Sequence, residues 1–189
     1  MIAHGFRGVP QSGRGDLRPG LELHIAIIAY CNYDDGMTTA ALEADLIRDE
    51  GVRLRAYRDT RGIWTIGIGH DIQADPGLTP QLAHLIDPGI DRGLADALFA
   101  HDVAGAKLGL NLRLPWWTGL DDVRQDVLVN MAFNLGIGAL LAFHDALGRM
   151  RDGDYAGAAA GLLDSAWARQ VGPRAIRLAE QMRTGVHQG

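Results

Sequence analysis

The chain of 189 residues has a single cysteine, few aromatic residues and no long hydrophobic run. Because Cys31 has no second cysteine to pair with, no internal disulfide can form and packing must hold the fold. No stretch of about 18 consecutive apolar residues occurs, so we expect no membrane-spanning helix and no stable membrane insertion. The most apolar stretch, residues 25–31, is too short to cross a bilayer and lacks a clean cleavage site. It is either an export or membrane-arrest segment or an apolar tail packed on the body.

Basic charge is also scarce, since 18 lysines and arginines stand against 23 aspartates and glutamates, with a formal net charge of −5. Proteins that bind nucleic acid neutralise its phosphates with a basic surface. We therefore predict no nucleic-acid partner. An anionic polymer would have to be held by local arginines, because the long-range field of the chain does not attract it.

The N-terminal region differs in composition from the rest of the chain. Residues 1–20 are rich in glycine, arginine and proline and lack hydrophobic periodicity, which is typical of a loose tail. Asp34, Asp35 and Gly36 then interrupt the chain just before Met37. We therefore expect residues 1–36 to be an N-terminal extension of unknown role, followed by the folded domain. Translation starting at Met37 is an open alternative.

A short helix is expected at the start of the folded domain. Residues 40–50 have apolar side chains at a helical period, and Thr38 or Thr39 can serve as the N-cap. Gly51 follows directly and provides a stop for the helix. This places Glu50 at the C-terminal end of the helix.

The following residues predict a β-hairpin and then a series of helices. Residues 52–57 and 63–68 are rich in β-branched and aromatic side chains and flank a D-x-x-G turn, which indicates a hairpin. Asp91 can cap a helix of about 18 residues with one apolar face. Further helices are expected over 120–135, 139–150, 155–165 and 173–183. The chain is therefore predicted to be an α+β protein, mainly α.

Two carboxyl groups lie where they could hydrolyse a glycosidic bond. That reaction needs one carboxyl group that keeps its proton and a second that stays ionised. The negative end of a helix and a dry cleft wall would favour the protonated form of Glu50, whereas Asp59 in an open turn would stay charged. Thr65 on the second strand could orient a water molecule. The spacing alone is weak evidence, since solvated carboxylates nine residues apart are common.

The full string around these carboxylates is far more specific. Residues 50–70 read EGVRLRAYRDTRGIWTIGIGH and fill nearly every fixed position of the pattern E-G-x-R-L-x-x-Y-x-D-T-x-G-x-x-T-I-G-x-G-H. This string resembles the active-site hairpin of the T4-type phage lysozymes, glycoside hydrolase family 24. Later segments resemble the same family, so that the resemblance covers about residues 37–185. These segments are 98–103, 129–136, 165–167, 174–177 and 183–185.

The resemblance implies a lysozyme-like two-lobed fold and a muramidase activity. The lysozyme domain would span residues 37–187, with the hairpin lobe over about 37–90, the linking helix over about 91–109 and the helical lobe over about 110–187. The family hydrolyses the β-1,4 bond between N-acetylmuramic acid and N-acetylglucosamine, usually with inversion. Glu50 would be the general acid, Asp59 the base or electrostatic partner, and Thr65 the water-positioning residue. No cofactor and no metal are implied.

Four further residues are assigned structural roles near the site. By resemblance, His70 would form an ion pair with Asp102 that ties the hairpin lobe to the long helix. A metal ligand or catalytic base is the rival interpretation of His70, but no second histidine or cysteine stands at ligand spacing nearby. Gly62 and Gly69 occupy fixed positions of the hairpin pattern and are expected to shape it.

Three residues are expected to contact the substrate or the catalytic acid. Asn134 matches a cleft-wall position that contacts sugar in the family, although glutamine is the common residue there. Phe133 precedes it in the same segment. Arg174 matches an arginine that pairs with the catalytic glutamate when the site is empty. A solvated arginine is the alternative interpretation.

The resemblance also implies a biological setting. An endolysin would reside in the host cytoplasm as a monomer and reach the periplasmic cell wall through a separate holin-type membrane lesion. There it would cleave peptidoglycan glycan strands and cause lysis. Two alternatives are a lytic transglycosylase and a non-catalytic glycan-binding virion module. Asp59 and Thr65 argue against the first, because a transglycosylase needs no water-activating aspartate.

Overall fold

The predicted mainly helical α+β class is confirmed in the computed structural model of the chain. The structure describes residues 39–59, 62–74, 83–84 and 86–188. Within these residues the chain forms eight α-helices and a three-stranded antiparallel sheet. The predicted N-terminal extension, with the apolar stretch 25–31, lies outside them. None of the described helices combines the length and the apolar character needed to cross a bilayer.

The first helix precedes the small sheet in the chain, and the other helices follow it. The strands are β1 (Arg53–Arg58), β2 (Trp64–Gly67) and β3 (His70–Asp71). The helices are α1 (Ala40–Glu50), α2 (Arg92–Arg113), α3 (Asp122–Leu135), α4 (Ile137–Leu140), α5 (His144–Arg151), α6 (Tyr155–Leu163), α7 (Ala166–Val171) and α8 (Pro173–Thr184). A 3-10 helix, Pro115–Gly119, connects α2 to α3.

The sheet has one strand more than the predicted hairpin. Its order is β1-β2-β3, with Tyr57 opposite Thr65 in the first pair and Thr65 opposite Asp71 in the second. The third strand is only two residues long and follows Gly67 and Gly69, which both have positive φ angles. A strand of two residues is too short to show an alternating pattern, so the sequence did not indicate it.

The helix starts agree with the predicted caps. The Thr39 hydroxyl oxygen accepts a hydrogen bond from the Leu42 amide at 3.0 Å, and the Asp91 carboxylate accepts one from the Leu94 amide at 2.8 Å. Helix α2 has 22 residues, so that it is longer than the predicted length, and spans about 33 Å. It continues to Arg113 because Pro115 is the first residue that cannot extend it.

One of the predicted C-terminal helices is divided in two, and the next one ends two residues earlier than predicted. The predicted helix 139–150 becomes α4 and α5, separated by a turn in which the Phe143 amide bonds to the Leu140 carbonyl at 3.0 Å. The predicted helix 155–165 ends at Leu163, and Ser165 caps α7 by accepting from the Ala168 amide at 3.0 Å. Serine competes with the backbone as a cap, which favours a new helix start there.

Helix α2 contributes to two apolar clusters. The smaller cluster joins the sheet to the first half of α2 and includes Ile66, Ile72 and Leu98. The larger one packs α1 and the second half of α2 against the C-terminal helices, with Trp117 and Met131 fully buried. One rigid helix therefore supports both the sheet and the helical part.

Candidate active site

Glu50 is the last residue of α1 and lies against the turn before β3. Gly51 caps the helix with a φ of 71° and donates its amide to the Ile47 carbonyl at 2.9 Å. A Cβ atom at Gly69 would lie 3.1 Å from the Oε2 atom of Glu50, and Gly69 has a φ of 74°. Any other residue at position 69 would therefore be strained and would displace the Glu50 carboxyl group.

Asp59 and Thr65 converge on the backbone of a single residue. The Asp59 carboxylate accepts a hydrogen bond from the Ile63 amide at 2.8 Å, and the Thr65 hydroxyl donates to the Ile63 carbonyl at 3.2 Å. Gly62, with a φ of 80°, donates its amide to the Asp59 carbonyl at 2.9 Å and closes the turn. These bonds fix the orientation of both side chains on the hairpin.

A buried arginine connects Glu50 to the helical part. Arg174, at the start of α8, donates through Nη1 to the Glu50 Oε1 atom at 2.6 Å. Its Nε and Nη2 atoms donate to the side chain and the carbonyl of Asn130, at 2.8 and 3.2 Å. The predicted pair of Arg174 with Glu50 is therefore present in the structure. The bonds to Asn130 hold the guanidinium independently of Glu50.

Asp49 extends this buried network, and the sequence analysis missed it. Its side chain is 6% exposed and accepts from the Arg177 Nη2 atom at 2.5 and 2.7 Å. The Nε atom of Arg174 lies 3.2 Å from the same carboxylate. Arg174 and Arg177 are three residues apart on one helix face. Two arginines at this spacing on one helix, together with two adjacent acids at the end of another helix, are the sequence signal that could have indicated the network.

His70 and Asp102 form the predicted bridge between β3 and α2. The His70 Nδ1 atom lies 3.0 and 2.9 Å from the two carboxylate oxygens of Asp102. The His70 side chain is 2% exposed, whereas that of Asp102 is 24% exposed. In the part of the chain that the structure describes, no three histidine, cysteine or acidic side chains are grouped to hold a metal ion. The contact ties the sheet to the long helix.

A cleft of about 380 Å³ lies between the sheet, α2 and α3. Gly69, His70, Asp102 and Phe133 are among the residues that line it. The Phe133 ring also contacts Phe99, with the ring centroids 5.8 Å apart. A Cβ atom at Gly69 would meet the Glu50 carboxyl group, so the general-acid candidate lies beside a residue that lines this cleft. Glu50, Asp59 and Thr65 are not themselves among the lining residues.

Comparison with known proteins decides the family. Residues 48–181 match the family model described as phage lysozyme. The chain belongs to the phage lysozyme family. This confirms the resemblance inferred from residues 50–70, and the matched region contains Glu50, Asp59, Thr65 and Arg174. It also makes the chain a lysozyme-type enzyme.

The relatives of the chain come from phages and from Dictyostelium discoideum. The pre-baseplate central spike protein Gp5 of Enterobacteria phage T4 is 36% identical over 155 residues, which cover 74% of this chain but only 27% of the spike protein. Probable T4-type lysozyme 1 of Dictyostelium discoideum is 30% identical over 153 residues, covering 72% of this chain and 90% of that protein. An endolysin of Acyrthosiphon pisum secondary endosymbiont phage 1 is 30% identical over 127 residues, covering 67% and 78% respectively.

Asn134 is placed differently from the other expected contact residues of the phage lysozyme. Its Oδ1 atom accepts a hydrogen bond from the Trp167 indole at 2.9 Å, and Trp167 is buried in the large apolar cluster. Asn134 is not among the residues that line the cleft, whereas its neighbour Phe133 is. The structure therefore brings Phe133 to the cleft, and a sugar contact by Asn134 stays a prediction.

The start of α1 is anchored to α3 by a buried acid. The Thr39 hydroxyl donates to the Asp126 carboxylate at 2.5 Å, and the His187 Nε2 atom lies 3.5 Å from it. Burial raises the pKa of Asp126 above its ordinary value of 3.8. Asp122 also raises this pKa, whereas Thr39, His187 and the lysine at position 107 lower it. The ionised form of Asp126 is therefore less stable in the folded chain than in water.

Replacing Asp126 with asparagine is expected to raise the melting temperature at pH 7. The raised pKa means that the stability contribution of Asp126 is fully present below its unfolded pKa and is lost as the pH rises through its folded pKa. Asparagine stays neutral and still offers an acceptor to Thr39. We expect a gain of roughly 2–4 °C, the shift that 1 kcal/mol produces in a chain of this size.

Calorimetry from pH 3 to pH 7 tests this prediction. The difference between Asp126→Asn and the wild type should vanish towards pH 3, where Asp126 is protonated. Asp164→Asn is the control, because it removes the same charge from an exposed position after α6 and should leave the melting temperature unchanged. A lower melting temperature of Asp126→Asn at pH 7 would show that the His187 contact outweighs the effect of burial.

Proposed function

We propose that this phage lysozyme hydrolyses the β-1,4 bond between N-acetylmuramic acid and N-acetylglucosamine in bacterial peptidoglycan. The supporting observation is the position of Glu50 against Gly69, at the side of the cleft between the sheet and the helices. Asp59 and Thr65 stand on the neighbouring hairpin, both held by Ile63. A proton donor beside the cleft and a fixed acid in the turn are the two groups that glycoside hydrolysis requires.

In this proposal, Glu50 donates its proton to the oxygen of the leaving sugar while Asp59 accepts a proton from water. The water attacks the anomeric carbon from the opposite side of the ring, which inverts its configuration. The Thr65 hydroxyl donates its hydrogen bond to the Ile63 carbonyl. It can therefore act only as an acceptor for an O–H group of the attacking water, which orients that water.

The contact with Arg174 occupies one oxygen of the Glu50 carboxyl group. The guanidinium donates to Glu50 Oε1 at 2.6 Å, where it would compete with an oxygen of the leaving sugar for the same carboxyl group. We therefore infer that the contact weakens when a glycan fills the cleft. Arg174 keeps its two bonds to Asn130 in that state. The arginine thus stays in place for the next catalytic cycle.

We also propose that the cleft separates two lobes, with the hairpin lobe over about 37–90, the linking helix over about 91–109 and the helical lobe over about 110–187. The contact of His70 with Asp102 ties the first lobe to the linking helix, and Arg174 ties Glu50 to the last helix. Both contacts fix the position of the two cleft walls relative to each other.

Mass spectrometry of the muropeptides released from purified peptidoglycan tests the reaction. Hydrolysis yields products with reducing N-acetylmuramic acid ends. Products with anhydro-muramyl ends would instead identify a lytic transglycosylase. Binding of the strands without any released product would identify a glycan-binding module. Either of the last two results overturns the proposal.

The relatives support two settings for the activity. The endolysin relative favours an endolysin role. For that role we propose a monomer that resides in the host cytoplasm and reaches the periplasmic wall through a holin-type lesion. The spike relative of phage T4 favours a second candidate, a lysozyme domain carried by a virion component. Quantitative mass spectrometry of purified particles and of infected-cell extracts separates them. A chain present at stoichiometric amounts in particles is a virion component, whereas one confined to the extract is an endolysin.

The acidic charge of the chain predicts a weak dependence of lysis on salt. A net charge of −5 provides no long-range attraction towards an anionic cell wall. We expect the lysis rate to change by less than about threefold between roughly 20 and 200 mM sodium chloride, because there is little attraction to screen. Turbidity assays on permeabilised Gram-negative cells measure this dependence. A steep rise of the rate at low salt would contradict it.

A further inference from the structure

Tyr57 stands in a row of polar side chains that crosses the whole sheet. Tyr57 is directly opposite Thr65, and Thr65 is directly opposite Asp71. Side chains that are directly opposite in antiparallel strands share one face of the sheet. Asp71 lines the cleft, and Thr65 is the proposed water-positioning residue. Tyr57 is therefore on the sheet face that carries the proposed catalytic groups.

Asp59 belongs to the same side of the hairpin. It follows Tyr57 by two positions, and side chains two residues apart on an extended chain point to the same side. The backbone pairing continues past the end of β1, because the Asp59 amide donates to the Ile63 carbonyl at 3.0 Å. Tyr57, Asp59 and Thr65 therefore form one polar patch on the hairpin.

The ring of Tyr57 is held in place, but its hydroxyl group has no hydrogen-bond partner among the described residues. The guanidinium carbon of Arg53 lies 4.3 Å from the ring centroid, a cation–π contact that fixes the half-buried ring. Among the described residues, no group forms a hydrogen bond with the Tyr57 hydroxyl, which is not sealed from solvent either. Tyrosine hydroxyl groups that are placed in a site usually bind a partner. The hydroxyl is thus available to a ligand.

The surroundings keep this hydroxyl group protonated. Burial raises the pKa of Tyr57 above its ordinary value of 10.0, and the nearby charges of Glu50 and Asp59 raise it further, against an opposite effect of Arg53. The phenol is therefore a hydrogen-bond donor over the range in which an acid–base pair can work. The geometric evidence for its place in the site is the register of the sheet, in which Tyr57 is directly opposite Thr65.

We propose that Tyr57 is a substrate-contacting residue, whose hydroxyl group donates a hydrogen bond to an oxygen of the sugar bound between Glu50 and Asp59. This inference rests on the proposed muramidase function, since it identifies the ligand as a glycan. Glycan rings carry hydroxyl and acetamido oxygens that accept such a bond. A purely structural role would need only the ring and its contact with Arg53.

Tyr57→Phe separates these roles, because phenylalanine keeps the ring and loses only the hydroxyl group. Calorimetric titration with soluble uncrosslinked peptidoglycan strands is carried out in the Glu50→Gln background, which prevents turnover. We expect the dissociation constant to rise roughly three- to tenfold, the usual effect of one neutral hydrogen bond. The melting temperature should be unchanged. In the active enzyme, KM should rise for the same strands.

Tyr155→Phe is the matched control. Tyr155 also lies under an arginine, with the Arg124 guanidinium carbon 3.7 Å from its ring centroid, but it begins α6 in the helical part. Its loss of a hydroxyl group should not change the dissociation constant. An unchanged dissociation constant for Tyr57→Phe as well would overturn the proposal.

Arg53→Gln is a second variant that tests whether a disturbed hairpin, rather than the lost hydroxyl group, weakens binding in Tyr57→Phe. It removes the cation–π contact and keeps the Tyr57 hydroxyl group. If it weakens strand binding as much as Tyr57→Phe does, packing explains the loss and the proposal is wrong. If binding persists, the hydroxyl group is responsible. Absence of hydrolysis by the wild type would overturn the muramidase function, whereas the comparison of dissociation constants would still decide whether Tyr57 contacts the glycan.

Discussion

Replacing Glu50 with glutamine is expected to reduce the rate of cell lysis by two to four orders of magnitude, in line with the roughly 10²–10⁴-fold contribution of a general acid. Glutamine is similar in size and still offers an oxygen to Arg174, but it has no acidic proton for the leaving sugar. Asp59→Asn is expected to lose two or more orders of magnitude, because it cannot accept the proton of the attacking water. Turbidity loss of outer-membrane-permeabilised Gram-negative cells measures both variants.

Two controls make this result interpretable. Both variants must melt cooperatively, as judged by circular dichroism, before their lysis rates are compared with that of the wild type. Glu43→Gln removes an acid from an exposed position of the same helix, and it should lyse cells at the rate of the wild type. Undiminished lysis by Glu50→Gln would remove the proposed mechanism, whatever the family of the chain.

Replacing Arg174 with methionine is expected to reduce the free energy of unfolding by about 3 kcal/mol, at the lower end of what the loss of one partner of a buried ion pair costs. The side chain is 7% exposed and contacts Glu50, Asp49 and Asn130. Methionine fills similar volume without any donor. The effect is moderated because Asp49 keeps its contact with Arg177 and Glu50 is 21% exposed. Urea denaturation at pH 7 measures the change.

A second substitution locates the cause of this loss. Adding Glu50→Gln to Arg174→Met removes the unpaired charge. The loss in free energy of unfolding of the double variant should therefore be smaller than the sum of the two single losses, by about 1 kcal/mol or more. Arg169→Met is the matched control, because Arg169 is exposed on α7 and its loss should change stability by no more than about 0.5 kcal/mol. Strictly additive effects would show that Arg174 acts through packing alone.

Local features of the site could be predicted from the sequence. The string over 50–70 identifies the hairpin, its turn and the three candidate catalytic side chains. Thr39 and Asp91 are helix caps because their side chains accept amide hydrogen bonds within three residues. Such contacts depend only on neighbouring residues, so a local pattern is sufficient to indicate them.

Contacts between distant segments were harder to predict. The pair of Arg174 and Glu50 joins positions 124 residues apart and was expected only from the family resemblance. Asp49, Asn130 and Arg177 were missed because their polar contacts arise where α1, α3 and α8 meet. The cleft lining includes Phe133 and not Asn134, since the rotation of α3 directs Asn134 towards Trp167.

The sequence by itself determined the family, the mainly helical class and the identity of the groups that can donate and accept protons. It could do so because the helix caps and the motif each depend on residues that are close together in the sequence. Only the tertiary structure decided that Glu50 lies against Gly69, that a buried arginine pairs with it, and that Tyr57 shares a sheet face with Thr65. Those relations depend on how whole elements pack, which no local pattern contains.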